Sequence, residues 1–262
     1  MREFRGRTLV LAACALLAVL ASVISCARGN STESAGSGLP KYYAAEDLLT
    51  AVTVRQRTDR TAALRLSGHV DAGGPAAEVA GDGALRVEQS GLAAQFTQTV
   101  TTDGQAQSAA MLVLPGGQVY RQDEAGWVRI DQAASGTPEK QWATVAANLA
   151  DTADPTANLA RYRDAALVAD AVDDTVGGVQ AVRYLVVIDL VRAAEQEPDP
   201  AVAQALRGQV ESGLTRISST LWIDAANRPL RSEARQSLPG IGTLTLTADY
   251  RDWGAPVTIT TP

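Results

Sequence analysis

Residues 61–70 read Thr-Ala-Ala-Leu-Arg-Leu-Ser-Gly-His-Val. Leu64, Leu66, Gly68 and Val70 alternate with Ala63, Arg65, Ser67 and His69, a period of two. Successive strand side chains point to opposite faces, so this pattern predicts a strand with one apolar and one polar face. The pattern recurs downstream. Leu85 and Val87 share a face. Leu92, Ala94, Phe96, Gln98 and Val100 line one side of a stretch whose other side is Ala93, Gln95, Thr97 and Thr99. Residues 109–114, 118–122 and 127–131 continue the series, with Pro115-Gly116-Gly117 as a hairpin connection.

Helical spacing flanks this run. Pro40 stands where a first helical turn begins, and Leu48, Leu49 and Val52 predict a helix over 42–57. After Gly136, Thr137 is an N-cap candidate and Pro138 suits the first helical position. Trp142, Val145, Ala146 and Leu149 then share a face. Asp154-Pro155 opens a second short helix with Leu159 and Tyr162 on its inner side. Strands return at 166–172 and 179–190 around Gly177-Gly178. Pro198-Asp199-Pro200 starts a helix running to about residue 211. Strands at 218–224, 229–237 and 243–249 follow, with turns at 225–227 and Pro239-Gly240, then an extended piece over 256–260. Helices are few, strands many, and most connections short. The predicted fold class is α+β: a large curved antiparallel sheet, or half-barrel, with helices packed on its concave face.

The N-terminus carries the localisation signal. Arg2, Arg5 and Arg7 precede an apolar run from Leu9 to Ile24, and Val23-Ile24-Ser25-Cys26 follows directly. A basic start, an apolar middle and small residues before a cut describe an export signal. A cysteine at that place describes a bacterial lipoprotein, in which Cys26 becomes the first residue and carries a diacylglyceryl group. Two acyl chains hold a protein stably on a membrane where one does so only marginally. The expected organisation is a signal peptide over 1–25, lipidated Cys26 with a Gly- and Ser-rich tether over 26–39, and one domain over 40–262. The expected location is the extracytoplasmic face of the cell membrane.

Composition narrows the function. The precursor carries a net charge of −6; removing the signal discards three arginines and one glutamate, which leaves about −8. No basic patch points to nucleic acid. The only other cysteine, Cys14, lies inside the signal, so the mature chain has no disulfide and no cysteine metal site. The chain holds 21 Arg against 2 Lys, a bias expected of a high-GC, actinobacterial genome. The single histidine, His69, falls on the polar side of its strand and has no second His or Cys to join it in a metal site. No G-x-S-x-G, P-loop or H-E-x-x-H occurs. Asp170, Asp173 and Asp174 lack the spacing of a calcium loop and read as a solvated strand end. No cofactor or metal is expected, and the chain is not expected to be an enzyme.

Three ordered stretches resemble the mycobacterial LppX/LprA/LprF/LprG lipoprotein family. One runs from Asp154-Pro155 and Asn158-Leu159 through Val176-Gly177-Gly178-Val179 to Tyr184. The second is Thr220-Leu221-Trp222-Ile223-Asp224. The third is Tyr250-Arg251-Asp252-Trp253-Gly254 with Pro256-Val257-Thr258-Ile259. Val119-Tyr120 and Trp127 fit as well, whereas residues 105–110 look like a local insertion in a loop. The resemblance implies a fold like the lipid carriers LolA and LolB, with an apolar cavity between sheet and helices. It also implies a lipid or glycolipid ligand with several acyl chains, carried across the cell envelope, and a lipid-exporting permease as a partner. Leu64, Leu66, Leu85, Val87, Phe96, Val100, Trp142, Leu149, Leu159 and Tyr162 are the side chains expected to line that cavity. The alternative is a non-transport scaffold or accessory lipoprotein whose core is filled by side chains. A secreted hydrolase is a third class, for which the sequence supplies no catalytic set.

Overall fold

The computed structural model describes residues 38–71, 77–102, 104–130, 138–238, 242–260 and 262. The export signal, Cys26, the tether before residue 38, Thr137 and the Pro239-Gly240 turn lie outside these residues. The elements all belong to the unit Leu39–Pro262. In chain order they are α1 (Ala45–Asp59), β1 (Thr61–Asp71), β2 (Ala77–Glu88), β3 (Gly91–Thr102), β4 (Gln105–Leu114), β5 (Gln118–Asp123) and β6 (Gly126–Arg129). Then come α2 (Pro138–Ala153), α3 (Ala157–Arg161), a 3-10 turn (Arg163–Ala165), β7 (Ala166–Val176), β8 (Val179–Asp189), α4 (Leu190–Gln196) and α5 (Pro200–Glu211). The chain closes with β9 (Arg216–Asp224), β10 (Pro229–Leu238) and β11 (Gly242–Arg251).

The strands form one open antiparallel sheet in the order β6-β5-β4-β3-β2-β1-β11-β10-β9-β8-β7. Each half is a run of neighbours, and β11 pairs with β1 to join the halves. This order explains where the helices lie. Between β6 and β7 the chain must travel from one edge of the sheet to the other. At ~4.8 Å per strand, ten intervals span roughly 48 Å. That crossing carries α2 and α3 along the concave face.

Register separates the two faces. Tyr184, Leu221, Ser232, Ala248, Leu66, Gly81, Gln98 and Ala109 are successive cross-strand partners on the helix-covered face. One residue along lies an outward row of Arg183, Trp222, Arg231, Asp249, Arg65 and Asp82. Its charges pair across strands: Arg231 Nε lies 2.6 Å from Asp249 and Arg65 Nε 3.4 Å from Asp82. The Arg231 guanidinium lies 5.9 Å from the centroid of the Trp222 ring. Alternating charge suits a face left to water.

The concave face holds three apolar clusters. Leu64, Leu66, Leu85, Phe96 and Met111 pack under Ala146, Leu149 and Ala150 of α2. Leu48 and Val52 of α1 pack with Leu159, Val182, Tyr184, Val186, Leu221 and Ile223. Ile188 packs with Leu190, Ala193, Ala194 and Leu206 of α4 and α5. Burying a leucine- or valine-sized side chain contributes ~1.5–3 kcal/mol. Phe96 has a special floor, since its partners on β2 are glycines. A Cβ on Gly81 would lie 3.2 Å from Phe96 Cδ2, and one on Gly83 would lie 2.7 Å from Phe96 Cβ.

Three local readings differ from the structure. The first helix begins at Ala45, not Tyr42. Tyr42 is held by long-range bonds instead: its N–H donates to Tyr184 Oη at 3.1 Å, and its hydroxyl to Asn227 Oδ1 at 3.1 Å. Residues 105–110 are not a loop but strand, paired in register with β3 from Thr102–Gln105 to Thr97–Ala110. The strand expected to reach Leu190 stops at Asp189, whose carboxylate accepts from Val191 N and Arg192 N and starts α4. Residues 256–260 form no ladder; they lie against the outer face, where Ile259 and Val257 cover Ala93 and Leu112. Thr260 N–H donates to Gln95 Oε1 at 2.9 Å there. This explains why Ala93, on the side of β3 opposite Phe96, is fully buried.

The acidic cluster is structural. Asp173 accepts from Lys41 Nζ at 2.8 Å and from Leu39 N, fixing the segment before α1 to edge strand β7. Asp174 accepts from Trp222 Nε1 at 2.9 Å. Charges and a register shift between Val168 and Asp170 keep this open edge from pairing with another strand.

Candidate functional site

The helix layer has a seam. α2 covers the first cluster, and α1 and α3 cover the second. Between them a pocket of about 200 Å³ opens over β9 and β10. Its floor includes Val186, Ser219, Ala234 and Leu246, which are cross-strand partners in one row. Ser219 and Ala234 are small where their flanking partners are large, and that difference leaves the space. Ile188, Leu221 and Ser232 complete the floor, and Leu159 and Pro155 form one wall. The other wall is the side of α2 that bears Asn148, Asp151 and Thr152, spaced three and four residues apart on one helix face.

The C-terminal end of α2 is tied to the sheet beside this pocket. Ser232 Oγ donates to the Thr152 carbonyl at 2.5 Å, and Tyr250 Oη lies 3.1 Å from the Ala153 carbonyl and 3.3 Å from that of Thr152. Ser232 Oγ and Tyr250 Oη lie 3.1 Å apart. Helix ends leave carbonyls without intrahelical partners, and these hydroxyls supply them. Burial pushes the Tyr250 phenol far above its ordinary range, so it stays a donor. Asp151 behaves differently. Desolvation and the neighbouring charge of Asp154 raise its pKa, and its carboxylate has no hydrogen bond or ion pair among the described residues. Asp154 is engaged by Thr156 N, Thr156 Oγ1 and Ala157 N.

Of the side chains singled out in the sequence, Leu159 lines this pocket. Leu64, Leu66, Leu85, Phe96 and Leu149 are buried in the first cluster, with Val87 and Trp142 half-buried against it. Tyr162 packs with the third cluster. Val100 is half-buried, opposite Val79 and Gln107 on neighbouring strands. Cys26 lies outside the described residues. Gln98, on the same face, is fully buried; its Nε2 lies 3.5 Å from the Trp142 carbonyl and its Oε1 has no partner among the described residues. His69 is exposed on the outer face. Among the described residues no group of three His, Cys, Asp or Glu is placed to hold a metal, and no helix is long and apolar enough to cross a membrane.

The site missed in the sequence is the pocket floor. Its signal was available: Ser219, Ser232 and Ala234 are small or polar at inward positions where strand alternation expects bulky apolar residues.

Fold and pocket together define an open antiparallel half-barrel whose concave face is covered by a divided layer of helices. No family model and no curated protein matches the chain. Among solved structures it is similar to LprF from Mycobacterium bovis, 16% identical, covering 86% of this chain and 99% of that one, with a TM-score of 0.44. It is also similar to the lipoprotein LppX of Mycobacterium tuberculosis, 13% identical over 82% of this chain and 99% of the other, TM-score 0.47. A LolA superfamily protein from Nitrosomonas europaea is 12% identical over 80% and 93% of the two chains, TM-score 0.30. At these identities and scores, function is read from the chain's own residues.

Proposed function

We propose that this protein is a membrane-anchored extracytoplasmic lipoprotein that binds acylated lipids against its concave sheet face and helps carry them across the cell envelope. The observation that supports it best is the seam: a pocket with a mostly apolar floor between two halves of a helix layer. A buried CH₂ contributes ~0.8 kcal/mol, so an acyl chain gains much from even a narrow apolar slot. The pocket of about 200 Å³ is smaller than the ~300–1,000 Å³ of ordinary ligand sites. A lipid with several chains therefore fills the seam first and gains further room by parting α2 from the first cluster, the side chains Leu64, Leu66, Leu85, Phe96 and Leu149. Cys26, as the acylated first residue, holds the carrier at the membrane, where a lipid-exporting permease hands over the ligand. No reaction is assigned to it.

Ala234→Phe tests the binding site. The added ring occupies the seam without adding charge. Losing about two methylenes of contact is worth ~1.6 kcal/mol, or roughly a 10-fold loss of affinity for a fluorescent acyl lipid. The melting temperature should stay within a few degrees, because open space accepts the ring. A filled core predicts the reverse: overpacking by ~1–3 kcal/mol and no lipid signal to lose.

Cys26→Ala tests the anchor. The substituted chain should appear in the soluble fraction or keep its signal peptide. An unmodified Cys26 or an intact Met1 at the N-terminus of the purified native protein would contradict the anchor.

A further inference from the structure

Tyr42 and Tyr43 are neighbours in sequence with opposite environments. Tyr42 is half-buried and bonded to Tyr184 and Asn227. Tyr43 is 73% exposed, the most exposed large apolar side chain among the described residues. A lone surface aromatic is ordinary; this one has a particular place. Leu39 N–H and Lys41 Nζ both donate to Asp173, close to the Val176–Val179 pair that ends the β7–β8 hairpin. The Tyr42 hydroxyl donates to Asn227, in the turn between β9 and β10. Residues 39–43 therefore lie at the end of the sheet where these two turns project. Val179 stands at that hairpin tip, 47% exposed. Val54 of α1 is 61% exposed, one helical turn before Asp59, which accepts from Arg228 beside the same β9–β10 turn. Three exposed apolar side chains thus share one end of the domain. That end also receives the chain from Cys26: Leu39 follows it by 13 residues, a length that spans at most about 45 Å. The exposed charges on and beside α1 balance, Glu46 and Asp47 against Arg57 and Arg60.

We propose that this end is the face with which the protein rests on the membrane that anchors it, with the Tyr43 ring in the headgroup layer and Val54 and Val179 beside it. The inference rests on the acyl anchor at Cys26 and adds an orientation to it. Tyrosine joins an apolar ring to a polar tip, a combination that settles at a membrane–water boundary. The anchor already keeps lipid at high local concentration, so a contact too weak to recruit a free protein suffices to orient a tethered one. Because the charges balance, apolar contact rather than attraction to anionic lipid makes the interface.

The test uses the full-length acylated protein in phosphatidylcholine vesicles. Cys26 is the only cysteine after the signal and its lipid blocks it, so an introduced cysteine is the only thiol to label. A polarity-sensitive fluorophore is attached at Tyr43→Cys, Val179→Cys or Leu167→Cys. Val179→Cys keeps the Tyr43 ring and reads the native contact. Leu167 is as open as Val179, at 50% exposed, but lies ~30 Å along β7 from the hairpin end. Labels at 43 and 179 should shift to the blue and lose most of their emission when nitroxide-headed lipid is added, and the label at 167 should do neither. Adding Tyr43→Ser to Val179→Cys should weaken the quenching; undiminished quenching overturns the role of the ring. Unchanged emission at 179, or equal quenching at all three positions, overturns the docking face while leaving the anchor intact. Quenching that disappears in concentrated salt overturns the apolar contact. Wild type that takes up the label, or fails to float with the vesicles, refutes the anchor at Cys26 and the docking face with it.

Discussion

Replacing Phe96 with alanine is expected to destabilise the protein by about 3–5 kcal/mol. For a domain of this size that corresponds to a fall in melting temperature of roughly 6–20 °C. The expectation follows from the floor beneath the ring. Phe96 is 2% exposed, and its cross-strand partner on β2 is Gly83, with Gly81 two residues along. Neither glycine has a side chain to relax into the vacated space, and their approach to Phe96 leaves no room for a Cβ in the native protein. The cavity left by the truncation would stay open beneath α2. Urea unfolding of the variant against wild type measures the effect. A loss below about 1 kcal/mol would mean that the ring is not a packed part of the first cluster.

Asp59→Ala should cost about 2–3 kcal/mol near neutral pH, in the range of hydrogen bonds to charged groups. Asp59 closes α1 onto the turn between β9 and β10. Its carboxylate accepts from Arg55 Nε at 2.8 Å and Nη2 at 2.6 Å, and from Arg228 Nε at 2.9 Å. Burial alone would raise its pKa, but the hydrogen bonds from Arg228 and Arg55, with their charges, outweigh burial and hold it below the ordinary carboxylate range. An acid whose folded pKa is depressed adds stability above its unfolded pKa, ~3.9 for Asp. That stability is lost as pH falls through the folded value. The gap between wild type and Asp59→Ala should therefore be full at pH 6–7 and shrink below about pH 4. Thermal melts at pH 7, 5, 4 and 3 read it directly. A gap that is constant down to pH 3 would show that the ion pair does not drive the difference.

The strands were legible because their chemistry is local. Alternation at Leu64, Leu66 and Phe96 against Arg65 and Thr97 sets the inward face without knowledge of any partner strand. The helices over 138–153 and 200–211 declared themselves through Pro138 and the Asp199-Pro200 start. What stayed hidden depends on contacts distant in sequence. Tyr42 looks helical by spacing, but it lies before the helix, bonded to Tyr184 and Asn227 more than a hundred residues away. Leu190 continues an apolar run, and only the carboxylate of Asp189 marks the switch to helix. Ala93 sits on the side expected to be wet, and a C-terminal segment with no ladder of its own buries it. The seam was half legible: small inward residues can be read along a strand, but the gap between helices above them cannot. Pattern reading searches for bulky apolar residues, whereas a pocket is made where Ser219 and Ala234 are small beneath a gap between two helices.

The most direct test of the carrier reading is native mass spectrometry of the full-length protein purified gently from its own membranes, followed by extraction and identification of bound lipid. Beyond the acyl groups covalently attached at Cys26, the account predicts a second, non-covalent mass that is released by organic solvent, carries acyl chains, and is depleted in Ala234→Phe. A protein that leaves the membrane with its covalent acyl groups alone, and takes up no acyl lipid from vesicles, would contradict it.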